Sequence, residues 1–379
     1  MGFMATSPFR SWVEISRSQI AENYRTIARA VGLDVAVMPV VKADAYRHGA
    51  VEVSRVLMSE GAKWLAVSNV EEGVVLREAG ITARILVMAD FLPMGRLAMR
   101  QHGLTPVIHA IEDLEALNDV GRQMDEPAAF HLKIDSGMYR LGTRATAEEI
   151  RQTLQGCPFV RLEGLMTHFA SVSDFSTSQT AEQTDTFFEV VESLQRIGVS
   201  APYIHLSSTG GVAYRGAKAW GNLVRPGHGI YGYVSPPRGK TLASQIHVKP
   251  VMCWKAAVLT VKDLPKDAQV GYGGMFNASE PMRIAVLAVG YADGLPHRLS
   301  NRGRVIVCGK YAPILGAVSM DLTTIDVTHC PEVAVGDAVT ILGSEGGLTI
   351  DAQEIARQAG TISYSVLCGI SSRVKRVYV

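Results

Sequence analysis

Short apolar runs alternate with amphipathic stretches along the first two-thirds of the chain. The runs fall at 35–42 (VAVMPVVK), 64–67 (WLAV), 84–88 (RILVM), 105–108 (TPVI), 129–135 (AFHLKID), 159–166 (FVRLEGLM), 203–206 (YIHL) and 223–225 (LVR). Each is short enough for a buried strand, and helical patterns lie between most of them. At 111–122, Ile111, Leu114, Leu117 and Val120 recur every three residues; at 178–196, Phe187, Val190, Val191 and Leu194 share one face. Eight strands with intervening helices over about 190 residues predict an α/β fold, an N-terminal (β/α)8 TIM-like barrel. An open doubly wound sheet is the alternative, but it usually has fewer strands in such a length.

From about residue 246 the pattern changes. Runs such as VMCWKAAVLTV, RIAVLAVG, RVIVCG, APILGAV, TTIDVT and AVTILG are separated by Gly, Pro, Asn and Asp. That spacing predicts a C-terminal all-β domain. One helix is expected inside it at 351–359, with Asp351 as N-cap and Gly360 as its stop. The expected domains are therefore 14–245 and 246–379, with residues 1–13 joining the second. The strand-like WVEI at 12–15 could pair there and bring both termini together.

Composition narrows the function classes. At 379 residues, 47% hydrophobic and 19% charged, the chain can bury a large core. A net charge of +1 gives no reason to expect nucleic acid or an anionic membrane surface as a partner. No apolar run approaches a membrane span, and the N-terminal MGFMATSPFRSWVE has no apolar segment of the signal-peptide kind. Five scattered cysteines without a CxxC fit a reduced, cytoplasmic setting. The ten histidines show no metal-ligand spacing, so no catalytic metal is expected.

The candidate chemistry starts at Lys42. Most lysines are solvated surface charges, but this one follows seven apolar residues and ends the first expected strand. Barrel active sites lie at the carboxyl ends of strands. A lysine amine there can form a Schiff base with an aldehyde cofactor. The loops after the seventh and eighth strands commonly build a phosphate site in such barrels. Here they read Ser207-Ser208-Thr209-Gly210-Gly211 and Arg225-Pro226-Gly227-His228-Gly229, with glycines for close approach and donors for phosphate oxygens.

Eight strings carry a resemblance to one family. They are VVKADAYRHG (40–49), HLKIDSGMYRLG (131–142), EGLMTHFASVSD (163–174), VRPGHGIYG (224–232), VGYGG (270–274), GYADGLPHRLSN (290–301), VSMDLTTIDV (318–327) and TISYSVLCGISSRV (361–374). Together, in this order, they resemble the alanine racemases. The resemblance implies pyridoxal 5'-phosphate held by Lys42, with Tyr46, Thr209, Gly227, His228 and Tyr364 at its phosphate and Arg225 donating to its pyridine nitrogen. It implies two opposed catalytic bases, Lys42 for the D-isomer and Tyr272 for the L-isomer, with His168 between Tyr272 and Arg225. Tyr272, Met320 and Asp321 would come from the other subunit of a homodimer. Arg140, Met320 and Asp321 would bind the substrate alanine, and Lys133 matches a lysine that some members carbamylate.

The chain departs from the family pattern in places. Asp44 and Arg47 replace the commoner Asn and Gly, Tyr139 a Gly or Asn, and Thr209-Gly210-Gly211 a Ser-Ala-Ala. His228 stands where an aliphatic residue is usual, and Ala317 where an arginine often precedes VSMD. A racemase of broader taste that accepts serine, a barrel-type decarboxylase and a cofactor carrier are the competing readings. Tyr272 and the second domain speak against the last two.

Overall fold

The computed structural model describes residues 9–240 and 243–379. Contacts divide the chain into two compact units. One holds the chain up to Ser18, Tyr46–Gly49 and Pro250–Val379; the other holds Gln19–Ala45 and Ala50–Lys249. Residues 1–8, part of the segment expected to join the second domain, lie outside the described residues.

The first strand, β1 (Ser11–Ile15), belongs to the unit containing the C-terminus and is followed by the helix Arg17–Val31. The other unit carries eight parallel strands. They are β2 (Ala36–Val37), β3 (Trp64–Val67), β4 (Arg84–Val87), β5 (Leu104–Ile108), β6 (Ala128–Lys133), β7 (Val160–Met166), β8 (Tyr203–His205) and β9 (Leu223–Val224). β3 to β8 form one sheet in chain order, and β2 pairs with β9. Bridges between Val40 and Ala66 and between Ser208 and Arg225 join the two pieces and close the barrel.

Every residue of β3 and β5 is buried, as expected of parallel strands covered on both faces. Phe130 and Leu132 of β6 and Leu165 of β7 pack outward with Phe187, Val191 and Leu194. Those last three lie on the helix Gln179–Arg196. The two-residue alternation then turns His131 and Lys133 toward the barrel interior. The helix expected at 111–122 is observed at Asp113–Gln123.

The expected strand at 35–42 needs a correction. The regular strand ends at Val37, although hydrogen bonds to the β9 side run on through the Met38 and Val40 N–H groups. Pro39 accepts from the Ala66 N–H on the β3 side but has no N–H to return there. The backbone stays extended to Val41, whose N–H bonds the Ala66 carbonyl. Lys42 then opens a turn of helix, Lys42–Arg47, rather than closing a strand. Residues 43–47 all have positive φ, between 52° and 66°, so this turn is left-handed. Such a run costs L-residues roughly 1–2 kcal/mol each. The Glu72 carboxylate accepts from the Ala43 N–H at 2.7 Å, and the Asp44 carboxylate accepts from the Ala50 N–H at 2.7 Å.

The unit containing the C-terminus is built on ten more strands. They are β10 (Met252–Leu264), β11 (Gln269–Val270), β12 (Phe276–Asn277), β13 (Met282–Leu287), β14 (Arg304–Val307), β15 (Lys310–Leu315), β16 (Thr323–Asp326), β17 (Ala338–Glu345), β18 (Leu348–Ile350) and β19 (Lys375–Tyr378). The long β10 pairs with β13 on one edge and with β17 and β1 along its length, so the sheet curls back on itself. β1 pairs antiparallel with β10 and parallel with β19, so the first and last described strands lie side by side. The helix Ala352–Ala359 is capped by Asp351 and stopped by left-handed Gly360, as its sequence predicts. A second helix, Ser363–Gly369, follows and carries Tyr364. Among the described residues no helix is long and apolar enough to cross a membrane.

Candidate active site

In the barrel unit the site is organised by Arg225, which follows β9 and is completely buried. Its guanidinium donates to His205 Nδ1 at 2.7 Å, to the Thr167 and Leu206 carbonyls at 2.8 and 3.0 Å, and to His168 Nδ1 at 3.2 Å. Burial lowers its pKa to about 9. His168 drops to about 3, first through burial and then through the charges of Arg225, Lys133, Arg140 and Lys42. A neutral His168 that accepts at Nδ1 must carry its proton on Nε2.

Lys133 ends β6, and burial lowers its pKa to about 8, helped by Arg140 and Arg225 and opposed by Asp135. The Asp135 carboxylate accepts the N–H groups of Gly137, Met138 and Tyr139 at 3.0–3.1 Å, which shapes the loop before Arg140. Tyr139 sits there at φ 55°, a backbone better suited to the Gly or Asn met elsewhere. Its ring lies under the Arg144 guanidinium.

Thr209 begins the short helix Thr209–Tyr214. Its Oγ1 accepts the N–H groups of Gly227 and Gly229 at 3.2 and 3.0 Å, tying together the two loops singled out in the sequence. With both lone pairs used, its O–H remains to donate. A Cβ at Gly210 would meet Ser173 Oγ at 2.7 Å, and one at Gly211 would meet Ser207 Oγ at 2.0 Å. The His228 ring is buried and stacks on Tyr233. Lys42 is half-buried.

In the other unit, Tyr46 and Tyr364 stand together with ring centroids 6.1 Å apart. Burial, then Tyr364 and Cys368, raises the Tyr46 phenol. Tyr272 is 78% exposed on a turn where Gly271, Gly273 and Gly274 all have positive φ. Asn301 braces this turn, donating to the Met275 carbonyl and accepting from the Gly316 N–H. Ala317 backs it, 3.4 Å from where a Gly271 Cβ would lie. Met320 is 53% exposed, and the Asp321 carboxylate is paired with Arg373 at 2.6 Å. Among the described residues no group of three His, Cys, Asp or Glu is placed to hold a metal.

His131, Glu163 and His205 were not among the residues singled out from the sequence. A signal was present: each is a polar residue within a largely apolar strand-like run.

The barrel residues 15–236 match the description "Alanine racemase, N-terminal domain", and residues 251–378 match "Alanine racemase, C-terminal domain". The chain belongs to the alanine racemase family. A relative from Halothermothrix orenii called alanine racemase is 39% identical over 370 residues, covering 97% of this chain and 96% of its own. The alanine racemase structure from Clostridium difficile 630 superposes with a TM-score of 0.92 at 30% identity, covering 98% of this chain and 96% of that one. The Bartonella henselae alanine racemase, described with covalently bound pyridoxal phosphate, gives a TM-score of 0.86 at 26% identity. It covers 98% of this chain and 100% of that one. Family membership makes the chain an isomerase of two-domain architecture.

The residues fit a phosphate-bearing cofactor. The Thr209 O–H is left to donate, and Gly210 and Gly211 beside it have no room for a Cβ. Donors on a backbone that an anion can approach closely suit a phosphate.

Proposed function

We propose that the chain interconverts L- and D-alanine with pyridoxal 5'-phosphate as cofactor. The observation that carries this is Arg225. An arginine, rather than a carboxylate, is fixed at the centre of the barrel site by four hydrogen bonds. The cofactor supplies an electron sink that makes the α-proton of a bound amino acid removable. An arginine keeps its own proton, so Arg225 would donate to the cofactor's ring nitrogen without protonating it. That would restrain side reactions such as transamination and favour simple proton return.

Lys42 holds the cofactor and handles the proton on one face of the α-carbon. Tyr272 of the partner subunit handles the other face. A phenol acts as a base only as its phenolate, which a hydrogen-bond donor stabilises. His168, whose Nε2 carries the proton, supplies that donor. Tyr46, Thr209, Gly227, His228 and Tyr364 hold the phosphate. Arg140 binds the substrate carboxylate, and Met320 and Asp321 of the partner line its pocket. The exposure of Tyr272 and Met320 supports a homodimer in which these residues are covered. The protein would work in the cytoplasm and supply D-alanine for peptidoglycan.

The lowered pKa of Lys133 supports its carbamylation, because carbon dioxide adds to the neutral amine. The neutral fraction grows as pH rises through about 8. Intact mass under gentle conditions, with and without bicarbonate, reads the adduct; its absence at pH 9 with bicarbonate present would dismiss the modification.

The main test follows L-alanine and L-serine separately in D2O. Loss of optical rotation with α-deuterium incorporated, faster for alanine, is expected. Faster serine turnover would move the substrate to a broader class, consistent with the small Ala317 behind the Tyr272 turn. Unchanged rotation with cofactor bound would sink the racemase reading.

A further inference from the structure

Among the described residues Arg225 is paired with no carboxylate, yet two buried imidazoles lead from it through the barrel interior toward one. Arginine can only donate, so its 2.7 Å contact makes His205 Nδ1 an acceptor. The His205 proton therefore sits on Nε2, which donates to His131 Nδ1 at 2.8 Å. His131 is then protonated on Nε2, and that nitrogen faces Glu163 Oε2 at 3.9 Å. Both imidazoles are fully buried. Burial lowers the pKa of each, to about 3 for His131, so both are neutral. The arginine at one end fixes the direction of both hydrogen bonds. Among the described residues His131 Nε2 itself has no hydrogen-bond partner and meets the Glu163 carboxylate only as a charge 3.9 Å away.

The barrel is shaped around this chain. A Cβ at Gly164 would lie 2.4 Å from His131 Nδ1, so only glycine leaves room for the ring. Trp64 and Tyr203 enclose the same imidazole. At the far end Glu163 is 4% exposed, bonded to Arg84 and, at 3.2 Å, to Arg161. Burial pushes its pKa up, but the two guanidiniums outweigh that and hold it below the usual value. Glu163 is thus ionised at neutral pH.

We propose that Glu163 is a positioning residue that tunes Arg225 through the His131–His205 pair. A negative charge beyond His131 Nε2 makes each imidazole more electron-rich and each acceptor nitrogen stronger. The Arg225 to His205 bond tightens, and the guanidinium becomes a weaker acid toward whatever it meets in the site. Arg84 works against this by drawing on the same carboxylate. The mechanistic part rests on the function proposed above; the hydrogen-bond polarisation does not.

The test uses cofactor-loaded full-length protein labelled with 15N-histidine, at pH 8. Glu163→Gln removes the charge and should move the His205 Nδ1 resonance toward that of an unbonded imidazole nitrogen. Arg84→Met removes the competitor and should move it the opposite way. In Glu163→Gln, kcat should fall about three- to tenfold with KM held within about twofold. Resonances that stay put in both variants, or move in the same direction, overturn the proposal whatever happens to turnover. Because the resonance does not depend on racemisation, a protein that fails to racemise alanine can still pass or fail this test. Arg84→Met keeps it decisive if Glu163→Gln does not fold.

Discussion

Arg225 is enclosed by two histidines and two carbonyls, whereas Tyr272 stands 78% exposed on a glycine turn. The contrast extends to their neighbours. Thr209 and Lys133 are buried and have their surroundings specified by strands and loops of one unit. Met320 in the other unit is more than half exposed. In the barrel, packing and hydrogen bonds fix each group before any ligand arrives. At Tyr272 and Met320 the fold fixes the loop and leaves the side chain exposed. The barrel site holds its groups, whereas these two loops of the β unit present theirs.

The largest expected effect tests the first half of that contrast. Lys42→Ala should cut racemisation about 10⁴-fold or more and release the cofactor from covalent attachment, read by polarimetry and by cofactor absorbance. Tyr272→Phe should cost about 10²–10⁴-fold while the cofactor stays bound and thermal unfolding is unchanged. Loss of cofactor from Tyr272→Phe would break the division between holding and presenting. Mixing the two inactive variants sharpens it further. If Tyr272 serves the partner, random reassortment rebuilds one intact site per mixed dimer, or about one-quarter of the wild-type activity. No recovery after verified subunit exchange would place Tyr272 in its own subunit's site.

Smaller effects probe how tightly the barrel is specified. Gly164→Ala should destabilise by about 1–3 kcal/mol and lower the unfolding temperature by several degrees, because the new methyl would meet the His131 ring. An unchanged unfolding temperature would mean that the ring moves aside freely. The smallest expected effect is at Ala43, exposed and left-handed. Ala43→Gly should stabilise by about 0.5 kcal/mol in a denaturant titration, the relief at positive φ exceeding the added chain entropy.

The strand alternation was legible because buried parallel strands read as continuous apolar runs. All eight barrel runs correspond to observed strands. The helix at 352–359 was legible from its cap and its glycine. The left-handed turn was not, since Ala43, Ala45 and Tyr46 carry no glycine-like signal. The stretch VAVMPVVK therefore looked like one strand running into Lys42, where the chain instead turns left-handed. The helix 363–369 escaped notice because it is one short stretch with no N-terminal side-chain cap. Within the site, Lys42, Thr209 and Arg225 could be placed from strand ends and loop composition. The buried His131–His205 pair could not, because the pairing joins β6 to β8 across the barrel, a relation that no local spacing encodes.

The turn that follows Lys42 has a stereochemical consequence. Five successive L-residues there adopt the backbone hand that mirror-image amino acids prefer. A chain assembled by ligation with D-alanine at 43 would keep its methyl group and shed the steric conflict that L-alanine carries. The segment beside the candidate cofactor lysine is thus better suited to the enantiomer that the proposed reaction makes than to the one the ribosome installs.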